Sequence, residues 1–442
     1  MSEAKRWWGF WLSLDPAGAI TDRRTMNTLE QLRSSDLRGV TRLKLSEGLS
    51  EFPREIFDLA DTLEILDLSG NALSALPGDL HRLHRLRVLF ASDNRFTHLP
   101  ECLGQCAELS MVGFKANRIA TVSPEALPLK LRWLILTDNA LEHLPDSIGR
   151  CADLQKLMLA GNRLRQLPVT LADCQRLELL RIAANDLRPL PDWLCHLPRL
   201  SWLAFAGNPF VPEPLASDAP AIAWRDIELQ QVLGEGASGI IHRAALRSEP
   251  VAVKLFKGAV TSDGLPHSEM TACLHAGAHP NLIPVRGRVI GAPQNREALL
   301  MDLIDPAYHV LAGPPSFDSC TRDIYATDTH FTAETARSIA GGIASAAAHL
   351  HVHGLLHGDL YAHNILYNGE GHALIGDFGA ASYYASGNAD MQRLDVRAFG
   401  CLLEELVQYS ETTDVLMISL RDACLSDDPA TRPLFAEIAD AL

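Results

Sequence analysis

A chain of 442 residues is too long for one ordinary hydrophobic core, so several domains or a repeat array are expected. Apolar residues make up 47% of it, enough to fill such cores and too many for a disordered chain. The formal net charge of −15 argues against a general nucleic-acid binder; from Trp224 onward there are about 27 acids against about 14 bases, so that half should accept basic partners and repel acidic ones.

The chain opens with Lys5 and Arg6 before an apolar patch of Trp7, Trp8, Phe10, Trp11 and Leu12, closed by Asp15. That patch is too short and broken for a signal peptide, and no stretch reaches the length of a membrane span. Residues 1–34 are expected to cap the array that follows. The nine cysteines are scattered without a Cys-x-x-Cys pair, which reads as buried thiols in a reducing compartment, with a cytoplasmic location expected.

The pattern Leu-x-x-Leu-x-Leu-x-x-Asn then recurs, ending at Asn71, Asn94, Asn117, Asn139, Asn162, Asn185 and Asn208, in steps of 23 residues with one of 22. Most copies run on into a second leucine pair and proline, as in Leu73, Leu76 and Pro77; an earlier copy over Val40–Pro53 has Gly48 in place of asparagine. Alternating leucines around a short strand form one hydrophobic column that a single repeat cannot bury, so repeats must stack. The asparagine amide can bond backbone groups where the chain leaves the strand. This pattern resembles the leucine-rich-repeat family over residues 35–212, which implies a curved α/β solenoid, a horseshoe with a parallel sheet on its concave side. Side chains between the leucines should face out there, and Phe90, Trp133, Ile135, Met158 and Trp202 are expected to make an exposed apolar stripe for a protein substrate or regulator. Pro209, Pro212 and Pro214 break the rhythm, and residues 213–224 read as a linker.

From residue 225 to 442 a different set of signals appears. Gly234-Glu235-Gly236-Ala237-Ser238-Gly239 precedes the strand-like Ile240-Ile241 and then Val251-Ala252-Val253-Lys254. Glycines at 234, 236 and 239 let a backbone approach phosphates closely. Lys254 and Lys257 are the only lysines past the linker, and Lys254 better suits a fixed cation on a strand. A carboxylate to hold it is offered by Glu269 in the helical stretch Ser268–Leu274, ten residues before His279-Pro280-Asn281-Leu282. A helical stretch over Thr332–Val352 leads to His357-Gly358-Asp359-Leu360-Tyr361-Ala362-His363-Asn364, and thirteen residues past Asn364 stands Asp377-Phe378-Gly379. An aspartate can take or orient a hydroxyl proton, and an amide with a second aspartate makes a pair of hard oxygen ligands.

Taken together these motifs resemble the protein kinase family. The resemblance implies a bilobal α+β domain that binds ATP and Mg2+. It assigns catalytic roles to Asp359, Lys254 and Glu269, and metal ligation to Asn364 and Asp377. It places Gly234, Gly236, Gly239 and Lys254 at the phosphates. Ile241, Ala252 and Leu366 sandwich the adenine, Met301 is the gatekeeper, and the main chain of Asp302 and Ile304 forms the hinge. Asp395-Val396-Arg397-Ala398-Phe399-Gly400 resembles the family's Asp-Val-Trp-Ser-Phe-Gly helix, whose aspartate supports the catalytic loop. Arg432-Pro433 resembles its closing Arg-Pro. Several positions depart from the pattern. Gly358 replaces the arginine of His-Arg-Asp. Tyr361 and His363 stand where phosphate-contacting cations are usual. The span from Asp377 to Asp395 is short, lacks Ala-Pro-Glu, and leaves Arg432 without its usual glutamate. A shortened activation segment follows, in which Ser382, Tyr383, Tyr384 and Ser386 are the hydroxyls placed for self-phosphorylation.

The expected whole is a receptor-like or bacterial-type leucine-rich-repeat kinase with no transmembrane span, transferring phosphate to a protein hydroxyl, serine or threonine by default. Two alternatives stay open: a small-molecule kinase of the aminoglycoside or choline type, whose loop His-Gly-Asp resembles, and a nucleotide-binding scaffold acting through its repeats.

Overall fold

The computed structural model describes residues 26–212, 219–258, 260–385 and 387–442. The capping role of the tryptophan patch, the first part of the linker, and Ser386 lie outside these residues. The described chain divides into two compact units, residues 26–197 with 208–210, and residues 198–207 with everything from 211 onward.

The first unit begins with a five-residue helix α1 (Leu29–Arg33), stapled by Thr28, whose hydroxyl accepts from Gln31 N–H while the Gln31 side chain accepts from Thr28 N–H. Seven three-residue strands follow: β1 (Arg42–Lys44), β2 (Ile65–Asp67), β3 (Val88–Phe90), β4 (Met111–Gly113), β5 (Trp133–Ile135), β6 (Lys156–Met158) and β7 (Leu179–Arg181). They pair in parallel and in register, each central leucine or valine beside the next. Short 3-10 turns connect them, and the motif leucines Leu66, Leu89, Leu134, Leu157 and Leu180 are fully buried.

The asparagines form a ladder. Asn162 Nδ2 donates to Leu136 O (2.9 Å) and Leu159 O (2.9 Å), and its Oδ1 accepts from Leu141 N–H (3.0 Å). Asn94, Asn117, Asn139 and Asn185 repeat the arrangement. The residue before each asparagine is left-handed: Gly70, Asp93, Ala116, Asp138, Gly161, Ala184 and Gly207 all have φ between 51° and 74°. Glycine suits that geometry; Ala116 and Ala184 hold it against the clash of their Cβ.

The expected exposed stripe is corrected here, because Phe90, Trp133, Ile135, Met158 and Trp202 are all buried, none above 7% exposed. In a parallel in-register sheet each such side chain stands beside its counterpart in the next repeat. The Lys156 ammonium lies 4.6 Å from the Trp133 ring, and Trp133 Nε1–H points at Met158 Sδ, 3.2 Å away. Phe90 occupies the space that a Cβ on Gly113 would enter. Trp202 belongs to the second unit.

The second unit contains β8 (Trp202–Ala204) and a six-stranded sheet of β9 (Ala221–Ala223), β10 (Ile227–Glu235), β11 (Gly239–Leu246), β12 (Glu249–Phe256), β13 (Val285–Ile290) and β14 (Ala298–Asp302), in the order β10-β11-β12-β14-β13-β9. The three residues of β9, read from sequence as linker, pair in parallel with β13. Arg247 and Ser248, both at positive φ, make a two-residue turn that closes β11 onto β12. Helix α2 (Pro266–His275), started by a proline in its first turn, packs Met270 with Leu233, Ile241, Ala252, Phe256, Leu299 and Met301.

Below lie β15 (His309–Val310), α3 (Ala333–Val352), β16 (Leu355–Leu356), β17 (Ile365–Tyr367), β18 (Ala373–Ile375), β19 (Ser382–Tyr383), α4 (Ala389–Gln408), α5 (Val415–Cys424) and α6 (Phe435–Ala441). Helix α3 is capped by the Thr332 hydroxyl and buries Ile339, Ala340, Ile343, Ala344 and Ala347. Strands β15, β17 and β18 form one small sheet, and β16 pairs with β19. The chain therefore runs from Asp377 through β19 into α4 within a dozen residues, which is the shortened activation segment.

Replacing Asn162 by alanine leaves buried backbone groups unbonded, each at about 1–3 kcal/mol; the urea midpoint of the repeat unit is expected to fall. Ala184→Gly relieves the left-handed strain and is expected to raise the unfolding free energy by roughly 0.5–1 kcal/mol, and the midpoint with it. Parallel urea titrations of the two variants check both signs.

Candidate active site

Strand register sets the first cluster. Lys254 on β12 stands opposite Ile241 on β11 and Leu299 on β14, in the middle of the sheet. Its ammonium pairs with the Glu269 carboxylate from the first turn of α2, and both side chains are buried. Burial would lower the Lys254 pKa, but the Glu269 charge and then that of Asp377 outweigh it and hold the amine above its ordinary range. Burial, against the pull of Lys254, pushes Glu269 up. Above the pair, the Gly236 N–H bonds Gly239 O at 2.9 Å, and Lys257 steadies the same turn through Gly236 O and Glu235. A Cβ on Gly239 would come 2.7 Å from Leu255 O and 3.2 Å from Lys254 Cε, so a side chain there would crowd the lysine. Gly234 pairs with Ile241 at the base of the hairpin. Ile241, Ala252 and Met301 share one apolar cluster, and Leu366 is buried on β17. Asp302 spends its N–H on Pro284 O (3.0 Å) and its carboxylate on Arg286; Ile304 follows just past the end of β14.

The second cluster is the loop between β16 and β17. Asn364 Nδ2 donates to Asp359 Oδ2 (2.8 Å) and Asp359 O (2.9 Å). Asp377 is half-buried at φ 55°, a strained conformation for a non-glycine, and its Oδ1 accepts from Gly379 N–H at 3.1 Å. Burial, with Lys254 pulling against it and Asp359 adding to it, pushes the Asp377 carboxyl above the usual range. Such a group is short of positive charge. His357 ties the loop to this segment: Nδ1 accepts from Asp359 N–H (3.2 Å), so Nε2–H donates to Gly376 O (3.0 Å).

Two supports lie beneath. Asp395, fully buried on α4, accepts from His357 N–H (2.8 Å), Gly358 N–H (3.0 Å) and His351 Nε2 (3.1 Å). Asp323, which no sequence motif marks, accepts from His363 N–H (2.9 Å) and His363 Nδ1 (2.7 Å). Burial alone would lower the His363 pKa, but the Asp323 carboxylate reverses this and raises it, with Asp359 and then Asp377 adding in the same direction. Of the hydroxyls expected to take phosphate, Ser382 is corrected: it is fully buried and its oxygen accepts from Phe205 and Ala206 N–H while donating to Ala380 O. Tyr384 is buried and bonds His351 O, while Tyr383, half buried, reaches Thr271 O.

Comparison with known proteins fits this geometry. Residues 227–415 match the protein kinase domain family, and residues 62–83 and 130–187 match leucine-rich repeats. The chain joins leucine-rich repeats to a protein kinase domain. Over 39% of its length it is 29% identical to the serine/threonine-protein kinase PITSLRE of Drosophila melanogaster, covering 18% of that protein. Over 45% it is 26% identical to the L-type lectin-domain containing receptor kinase S.7 of Oryza sativa subsp. japonica, covering 28% of it. The PH domain leucine-rich repeat-containing protein phosphatase 1 of Homo sapiens is 36% identical over 84 residues, 5% of its length. This chain thus spans under a third of each of these relatives. No helix among the described residues is long and apolar enough to cross a membrane.

Under the Asp323 loop of the kinase domain, Glu405 accepts from the Tyr325 hydroxyl (3.1 Å); burial and then the Asp323 charge push its carboxyl up to about 8. A carboxyl raised in the folded state binds its proton more tightly there than in the unfolded chain, so stability falls as pH rises from about 4.5 to about 8. His363, also raised, adds a loss in the same direction above its ordinary range. Unfolding followed across this window should show that slope, and Glu405→Gln should flatten it; a slope unchanged in the variant contradicts the assignment.

Proposed function

We propose that this chain transfers the γ-phosphate of ATP to a protein hydroxyl, serine or threonine in view of the relatives' names, and that its repeats recruit the protein substrate or regulator. The observation that carries the proposal is the buried Lys254–Glu269 pair set beside Asp377, with Asn364 clasping Asp359. A scaffold that only bound nucleotide would need the first of these and not the second.

In this reading Lys254 meets the phosphates under the hairpin of Gly234, Gly236 and Gly239. Ile241, Ala252 and Leu366 hold the adenine, and the Asp302 carbonyl and Ile304 N–H meet its edge. Asp359 accepts the proton of the attacking hydroxyl as its oxygen bonds to phosphorus and the bridge to ADP breaks. Asn364 Oδ1 and the Asp377 carboxylate are hard oxygen donors, and the raised Asp377 pKa fits a site built for added positive charge. They would hold a magnesium ion, which when bound offsets the charge of the triphosphate.

His363, held by Asp323, sets an imidazole near Asp359 where phosphate-contacting cations are usual in the family. The Gly358 that resembles small-molecule kinases has a local cause: its φ is +70°, and a Cβ there would meet Leu203 O at 2.5 Å and Ala380 O at 2.8 Å. That removes the main support for the small-molecule reading. Cys102, Cys106, Cys151, Cys174 and Cys424 are buried thiols, which supports a cytoplasmic location. With the strand-face aromatics buried, recruitment falls to the rest of the repeat surface.

Purified chain with labelled ATP, magnesium and a basic protein should transfer label. Asp359→Asn should cut this by about 10²–10⁴-fold, and Lys254→Met should weaken nucleotide binding. Label without added protein would mark self-phosphorylation at a hydroxyl other than Ser382. Transfer that survives Asp359→Asn, or ATP consumed only with a small alcohol, sinks the proposal.

A further inference from the structure

The segment Pro198–Gly207 is a leucine-rich repeat by sequence and a part of the kinase unit by packing. Its contacts fall where this kinase domain departs from its family pattern. The Trp202 ring stacks on Tyr361, two residues past Asp359, with centroids 4.1 Å apart and planes 8° from parallel, and its Nε1–H donates to Leu360 O at 3.1 Å. Leu203 O sits against Gly358, in the space where any other residue would place its Cβ. Phe205 and Ala206 N–H bond the Ser382 hydroxyl at 3.0 and 3.1 Å. Arg397, at the tryptophan position of the family helix, donates to Pro198 O (3.0 Å) and Ser201 Oγ (2.7 Å). Arg432, lacking its usual glutamate, donates to Pro198 O (2.7 Å) as well as to Ser426 O and Arg393 O. The shortened activation segment, Gly358, Arg397 and Arg432 thus have one explanation.

We propose that Pro198–Gly207 stands in for the missing docking half of the activation segment, and that Trp202 is a positioning residue for the catalytic loop. The inference rests on the phosphotransferase reading above. Two buried guanidinium groups argue for a permanent fixture over a removable plug. Both bond neutral backbone and hydroxyl oxygens, so undocking would strip buried charges of Pro198 O and Ser201 Oγ together. The stack then transmits the segment's position to the loop. Trp202 fixes Tyr361, whose ring lies 4.9 Å from that of His363, and His363 is clamped by Asp323. The acceptor-binding face is therefore set by the chain itself without a phosphate on the activation segment.

The test compares full-length wild type, Trp202→Ala and Trp202→Phe. If the loop is positioned by the stack, Trp202→Ala loses roughly 10- to 100-fold in kcat, as a displacement of about an ångström does, with KM for ATP within about twofold. Trp202→Phe keeps a stacking ring and recovers most of the loss. Thermal melts and ATP binding show that the variants are folded, and amide exchange over residues 355–366 should quicken in Trp202→Ala. A rise in kcat for Trp202→Ala identifies a plug and overturns the proposal, as does unchanged kcat with unchanged exchange. A wild type without activity ends the phosphotransfer reading alone; exchange then decides, and equal protection of the loop in wild type and Trp202→Ala overturns the positioning role.

Discussion

A single buried carboxylate holds the lower lobe in working order. Asp395, itself with no exposure to water, is surrounded by N–H groups from His357, Gly358 and His351. A carboxyl group buried in such surroundings is tolerable only when its lone pairs are filled, and here they are filled largely by the loop that carries Asp359. His357 passes the constraint on to Gly376, the residue before Asp377. Asp359 and Asp377 are thus positioned from one point. The upper lobe has its counterpart in Lys254 and Glu269, a pair whose burial would be prohibitive for either partner alone.

The parts of the molecule legible in sequence are those with local signals. A leucine every two or three residues, with an asparagine every 22 or 23, is a physical period and gives the stacked strands directly. The residues named around Lys254, Asp359 and Asp377 gather because each motif sits on a turn or strand end whose geometry its neighbours fix. Even the Thr332 cap and the end of α3 at Val352 can be read this way.

What escaped has non-local causes. Asp323 lies in an irregular stretch, and its meaning comes only from a histidine forty residues further on. The Arg247–Ser248 turn carries none of the usual asparagine or glycine, and Ala116 and Ala184 adopt a conformation their type disfavours, because the pairing on either side over-determines them. The strand-face aromatics failed for a related reason. A pattern of alternate residues says which face a side chain takes and nothing of what lies against it, so Phe90 and Trp133 read as exposed.

The placement of Pro198–Gly207 has a bearing on how such chains can be recombined. In modular proteins the natural cut falls in the proline-rich stretch, here just after Asn208. Grafting this repeat array onto another catalytic lobe at that point would carry away Pro198 O, Ser201 and Trp202, and leave Arg397 and Arg432 without them. The seam that respects the packing runs before Pro198. A cut there keeps the last repeat with the kinase domain it packs against.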